Sequence, residues 1–379
     1  MTPTPSAAGL YVHLPYCASR CGYCAFVVTT DGSSRERYLA ALEREAELLR
    51  EEAGAAAFDA IYLGGGTPSL LPPAAVARLL ETLRGRFAFT AAAEVTLEAN
   101  PEDVSAEAVS AWVGAGVNRV SVGVQSFEDA ELVAVGRRHD AARAADALRT
   151  LTRAGVAVSG DLILGLPGQT AESFRRSVER LIGSGASHAS VYLLEVEKSK
   201  TMEEDRRLRP ERYPSDDAQA DMWLEMGEAF ASTGLAHYEI SNWARPGREA
   251  RHNVKYWTRT PTLGLGVSAH EFWAGRRRAN VSMLEGYLER LESGRRPVAL
   301  DQAVTEAEAA KERVFLGLRL VEGVPEDAIE GEVARAGDAR LSEDYESWFA
   351  AGILRREGGR VRFTERGFLV SNEILSRFV

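Results

Sequence analysis

Residues 155–182, GVAVSGDLILGLPGQTAESFRRSVERLI, read as one complete strand, turn and helix. The run 160–164 is short and apolar, GLPGQT supplies a glycine and proline turn, and 171–182 spaces its apolar residues for one helix face. Outward from this unit the same rhythm recurs. Strands are expected at 10–13, 60–63, 94–98, 119–124 and 189–194, and helices at 35–52, 73–83, 106–113 and 141–154. Gly116 and Gly155 follow two of these helices, where a left-handed residue closes the last turn. Strands alternating with helices predict a parallel sheet. Six such units in about 200 residues predict an α/β fold, a partly open six-stranded relative of the TIM barrel.

Barrels of this kind carry their chemistry at the C-terminal ends of the strands. Those ends hold, in order, His13 and a cysteine loop, Gly64-Gly65-Gly66-Thr67, Glu98 with Asn100, Gln125 with Ser126, the GLPGQT turn after Asp161, and Glu195. The glycine run is expected to bring backbone N–H groups close to a ligand. Beyond residue 200 the rhythm stops. Residues 198–212 read as a connection, followed by a helix over 215–232 capped by Ser215 and by the aromatic stretch YEISNWARPGREARHNVKYW. The last part, LRREGGRVRFTERG, predicts two strands around a Gly358-Gly359 turn and a final helix from Thr364. The expected organisation is a short tail (1–10), the barrel (11–213), a helix and aromatic segment extending it (214–300), and a helical, winged-helix-like domain (301–379).

All three cysteines, Cys17, Cys21 and Cys24, fall in one CxxxCxxC window. Three thiols cannot form a closed disulfide set, and a redox CxxC has no use for the third. Structural zinc takes four ligands. A [4Fe–4S] cluster held by three thiolates keeps one iron free for an outside ligand and fits the count better; three small buried thiols are the alternative without a metal.

The chain of 379 residues carries 45 Lys and Arg against 55 Asp and Glu, a net charge of −10. That balance disfavours a phosphate-tracking surface, so nucleic acid is not an expected partner, and the winged-helix-like domain, with 11 basic and 16 acidic residues from 301 on, is expected to be structural. No apolar run approaches the roughly 18 residues of a membrane span, and the first residues lack the pattern of a secretory signal, so a cytoplasmic protein is expected.

The ordered motifs YVHLPYCASRCGYC, LGGGTPS, LEANPE, GVQSF and DLILGLPGQT resemble the radical S-adenosylmethionine (radical SAM) proteins of the coproporphyrinogen-oxidase-like group, and within it the HemW haem-chaperone family. The resemblance covers nearly the whole chain. It implies that Cys17, Cys21 and Cys24 hold a [4Fe–4S] cluster, and that Tyr11, Tyr23, Gly65, Gly66, Thr67, Glu98, Gln125, Arg137 and Asp161 line a SAM pocket. It also implies reductive cleavage of SAM and a low-potential electron donor such as a flavodoxin or ferredoxin.

The oxidases of this group carry a fourth cysteine two residues after the third, where this chain has Phe26, and a longer segment before the first cysteine than the 16 residues present here. Both departures point away from coproporphyrinogen decarboxylation. His252, Tyr256 and Trp257 match the HNxxYW motif of the chaperone branch, in which an imidazole would ligate haem iron beside two aromatic faces. His13, His139, His188, His237 and His270 are competing ligands. The leading expectation is a chaperone that binds haem and passes it to an acceptor protein; the alternative is a radical SAM enzyme acting on coproporphyrinogen III or another tetrapyrrole. Stretches 33–55 and 141–155 could carry homodimer contacts as readily as barrel packing.

Overall fold

The computed structural model describes residues 7–378. Its centre is six parallel strands in sequence order, β1 (Ala8–Leu14), β2 (Ala57–Gly65), β3 (Ala88–Ala99), β4 (Arg119–Gln125), β5 (Ala157–Leu164) and β6 (His188–Leu193). Between them run α1 (Arg35–Ala53), α2 (Pro73–Arg86), α3 (Ala106–Gly114), α4 (Asp129–Ala134), α5 (Ala141–Arg153) and α6 (Ala171–Gly183). Leu10, Val12 and Leu14 enter the main apolar core with Leu39, Leu42 and Leu49 of α1. Tyr11 and His13 point to the opposite face, where Tyr11 meets Tyr62. This is the expected partial barrel, with polar side chains on its inner face.

Several elements differ from the sequence reading. Strand β3 starts six residues earlier than expected, because its alanine-rich first half pairs with Ala57 and Phe58 of β2. Leu48, one of the apolar residues of α1, is 37% exposed; it lies six residues after Leu42, off the helical repeat. The stretch read as a connection contains α7 (Lys200–Leu208), capped by Ser199 and anchored by one apolar residue, Met202, against Val135, Ile163 and Leu166. One buried residue in nine leaves no periodicity to read.

After α8 (Asp216–Ser232), whose cap is Ser215 as expected, β7 (Ala236–Glu239) and β8 (Asn242–Ala244) add antiparallel strands beside β6. Next, α9 (Arg251–Trp257) leads to β9 (Thr262–Leu265), which pairs in parallel with β1 at the other edge. Strands β10 (His270–Trp273), β11 (Arg276–Asn280) and, after α10 (Leu284–Glu292), β12 (Val298–Ala303) complete a 12-stranded sheet. The C-terminal part has its own core. It comprises α11 (Glu306–Gly317), β13 (Val324–Pro325), α12 (Glu326–Ala336), α13 (Ala339–Ala350), β14 (Leu354–Glu357), β15 (Arg360–Phe363), α14 (Glu365–Leu369) and α15 (Ser371–Leu375). Gly358 and Gly359 have φ of 60° and 72°, the geometry a two-residue hairpin needs. Among the described residues no helix is long and apolar enough to cross a membrane.

Candidate cofactor cavity

The cysteine loop leaves β1 and is pinned at several points. The Cys17 N–H donates to Thr29 O (2.9 Å), the Gly22 N–H to Val135 O (3.1 Å), and the Ser199 hydroxyl to Gly22 O. All three cysteines are free and half-buried, and they face a cavity of about 380 Å³ at the C-terminal mouth of the barrel. Tyr23, Gly65, Gly66, Thr67, Glu98, Gln125, Arg137 and Asp161 line it too. Thr67 Oγ1 lies 3.4 Å from Cys17 Sγ, and Arg137 Nη1 lies 3.6 Å from Cys21 Sγ. Burial pushes the Cys17 and Cys24 thiols up, a penalty that a bound metal reverses by taking the thiolate. Among the described residues no three His, Cys, Asp or Glu side chains converge on one metal-ion position. Zinc needs such convergence, whereas a cubane takes each thiolate on a separate iron.

Two carboxylates sit in the barrel interior with little to balance them. Glu98 accepts from Tyr62 OH (2.7 Å) and the Gly65 N–H (3.1 Å), and burial, with Asp161 nearby, pushes it up to about 7. Asp161 is likewise raised by burial, although Ser121 and Ser159 donate to it at 3.0 and 3.1 Å. Two acids facing one cavity favour a cationic ligand, and the ammonium and sulfonium of SAM are both cations. Further unmet polarity lies alongside: Thr96 Oγ1 and Arg137 Nε are buried without a partner. Arg137 Nη2 donates to both Asn100 Oδ1 (2.6 Å) and Gly123 O (2.8 Å), which leaves Nη1 facing the cysteine loop.

The glycine run does a different job from the one expected. Its N–H groups are already used, Gly65 by Glu98, Gly66 by Leu14 O (2.8 Å) and Thr67 by Tyr16 O (2.9 Å). A Cβ on Gly66 would sit 2.8 Å from Pro15 C and 2.9 Å from Leu14 O and Tyr16 O. The glycines therefore let β2 press against the start of the cysteine loop, and offer no free donors to a ligand. Gln125 has φ of 67° at an irregularity in the β4–β5 register, which folds its amide back over Gly123.

Tyr11 stands apart from the cavity wall, its hydroxyl 3.0 Å from His13 Nδ1. His252, Tyr256 and Trp257 are likewise absent from the cavity wall, although Asn253 of the same helix and Tyr62, 5.2 Å from the His252 ring, belong to it. The three lie on α9 at the N-terminal end of the barrel, where the His252 N–H reaches Glu94 and Lys255 Nζ bonds Asp59 (2.6 Å) and Ala7 O (2.5 Å). His252 is 1% exposed, with Nε2 2.8 Å from Tyr256 OH, and burial pushes its pKa down to about 3. Trp257 Nε1 donates to Glu239 (2.8 Å). Sequence reasoning passed over Tyr62, Ser121, Ser159 and Ser190, which line or support the interior together with His188. Polar residues at every second position of otherwise buried parallel strands were the available signal.

A Radical SAM superfamily model matches residues 11–181, and a HemN C-terminal domain model matches residues 304–370. The heme chaperone HemW of Mycobacterium tuberculosis is 36% identical over 99% of this chain and 96% of its own length. The heme chaperone HemW of Lactococcus lactis is 31% identical over 100% and 98%. This chain belongs to the HemW family of radical SAM proteins. Coproporphyrinogen III oxidase (HemN) from Escherichia coli has the same fold, with a TM-score of 0.84 over 99% of this chain and 90% of that one, at 24% identity. The family uses a [4Fe–4S] cluster and SAM, and the three thiols and two carboxylates have the chemistry to hold them.

Proposed function

We propose that this chain is a cytoplasmic haem chaperone that binds haem and hands it to an acceptor protein. Cys17, Cys21 and Cys24 would hold the cluster; Glu98 and Asp161 would balance the SAM cations, with Tyr23, Thr67, Gln125 and Arg137 around them. When bound and reduced by a low-potential donor such as a flavodoxin or ferredoxin, the cluster supplies an electron to the SAM sulfonium. Arg137 keeps a positive charge beside the Cys21 sulfur, and Thr67 donates to Cys17, which favours the Cys17 thiolate.

Phe26 carries the reading. It occupies the place of the oxidases' fourth thiol, and its ring is 66% exposed at the cavity rim, where it has no acid–base or metal chemistry to offer. The test is anaerobic reconstitution followed by loading with ferric haem and mixing with apomyoglobin as a model acceptor. Haem binding at one per chain, followed by transfer, supports the chaperone; failure to bind haem removes it. The second reading, a radical SAM enzyme acting on a tetrapyrrole, is favoured by the completeness of the cofactor cavity. It predicts 5′-deoxyadenosine together with turnover of coproporphyrinogen III.

A further inference from the structure

A haem carrier needs a seat for the macrocycle, and the cofactor cavity of about 380 Å³ is claimed by cluster and SAM. The chain has a larger one. A cavity of about 620 Å³ opens between α9, the β9–β11 edge and α11. That volume lies within the range of small-molecule sites. Tyr256, Phe272, Phe315 and Phe378 contribute aromatic surface. On α11 the residues Glu308, Lys311, Glu312, Phe315 and Leu316 share one helical face turned to the cavity.

Its polar groups suit a flat dianion with a ligand-hungry iron. Five of the six histidines are committed elsewhere: His13, His139, His188 and His252 are buried, and His237 is wedged between Trp243 and Phe368. His270 alone is exposed, lines this cavity, and has no side-chain hydrogen bond among the described residues. Lys311 is exposed and has no ion-pair partner among the described residues. The nearby acids are mostly neutralised. Glu312 is held by Arg259 and Arg277, Glu271 by Arg278 and Arg296, and the Glu308 carboxylate accepts from the N–H and hydroxyl of Thr305, the cap of α11.

We infer that this second cavity is the haem seat, with His270 as axial ligand to the iron and Lys311 facing a propionate. The inference rests on the haem-chaperone reading and gives it a location. An exposed imidazole can enter the iron coordination sphere without refolding, whereas His252 is 1% exposed and its Nε2 is taken by Tyr256 OH. His252 is then a positioning residue: it fixes the Tyr256 ring that walls the cavity, and Trp257 ties α9 to Glu239. The matching motif thus shapes the seat from behind.

The experiment titrates ferric haem into the reconstituted full chain, following the Soret band and the electron paramagnetic resonance of the iron. Wild type binds one haem. His270→Ala weakens binding at least tenfold and changes the iron spectrum, while His270→Tyr retains haem with a phenolate-type spectrum. Leu316→Arg, which places a charge in the cavity, weakens binding at least tenfold with cluster content and SAM affinity unchanged, a check that the barrel is folded. His252→Ala lowers affinity without altering the wild-type axial-ligand spectrum. Wild-type binding that survives both His270→Ala and Leu316→Arg, spectrum unchanged, overturns the inference and leaves the chaperone reading standing. No haem binding by wild type overturns both.

Discussion

Glu98→Gln tests the electrostatic logic of the cofactor cavity. Glu98 is pushed up to about 7, chiefly by burial, so near neutral pH it is divided between its protonated and ionised forms. A cationic ligand balanced by this carboxylate requires the ionised form, and below pH 7 binding must first release a proton. With a pKa of about 7, SAM affinity is expected to be about eightfold weaker at pH 6 than at pH 7.5. In Glu98→Gln the charge is gone, so affinity drops and the pH slope over this interval disappears. Calorimetric titration of SAM into the reconstituted protein at the two pH values measures both effects. The ligand-free protein should show the opposite trend. Because the folded pKa lies above the unfolded value near 4.5, the folded state holds this proton more tightly, and stability falls as pH rises from about 4.5 through 7. The loss at the limit is about 3 kcal/mol. Equal SAM affinity at both pH values in wild type, with no change on Glu98→Gln, would refute the assignment of Glu98 to the cation.

Gly66→Ala forces a Cβ against three backbone atoms of β1 and the cysteine loop, so it should cost about 1–3 kcal/mol in denaturant unfolding and lower the iron content after reconstitution. Arg137→Lys loses the fork that joins Asn100, Gly123 and Cys21; with the charge displaced from the thiolate, the cluster midpoint potential should become more negative in redox titration. Glu45→Leu strands Tyr287 OH, the Gly266 N–H and Asn280 Nδ2, three buried donors within 2.7 Å of the carboxylate, and should destabilise the chain by about 3–5 kcal/mol in the same unfolding assay.

The barrel was legible because each parallel strand, buried on both faces, compresses into a short apolar run bounded by polar or glycine residues, as in Gly155–Ile182. The short helix α4 escaped, being six residues long with only Leu132 and Glu131 buried, and α7 escaped because Met202 alone anchors it. The cysteines stood out by spacing. Glu98 stood out by its position at a strand end and Asp161 as an acid inside an apolar strand, but the burial that raises both pKa values, and the nearness of Asp161 that adds to the rise at Glu98, come from closing the barrel and no local pattern encodes them. The glycine run shows the converse. Its composition suggested ligand donors, yet its N–H groups face Glu98, Leu14 and Tyr16, partners set by strand register. Likewise the histidine of the HNxxYW match looked available in sequence; burial against β1 and β2 hides it, and leaves exposed a histidine, His270, that no motif marks.

The most direct test of the account sets haem and substrate against each other in one anaerobic preparation of the full chain with its cluster rebuilt. One portion is titrated with ferric haem; another is incubated with SAM, reductant and coproporphyrinogen III, and its tetrapyrroles are separated. The account predicts saturation at one haem per chain and no decarboxylated product. Decarboxylated product without stable haem binding would contradict it and make this chain an oxidase.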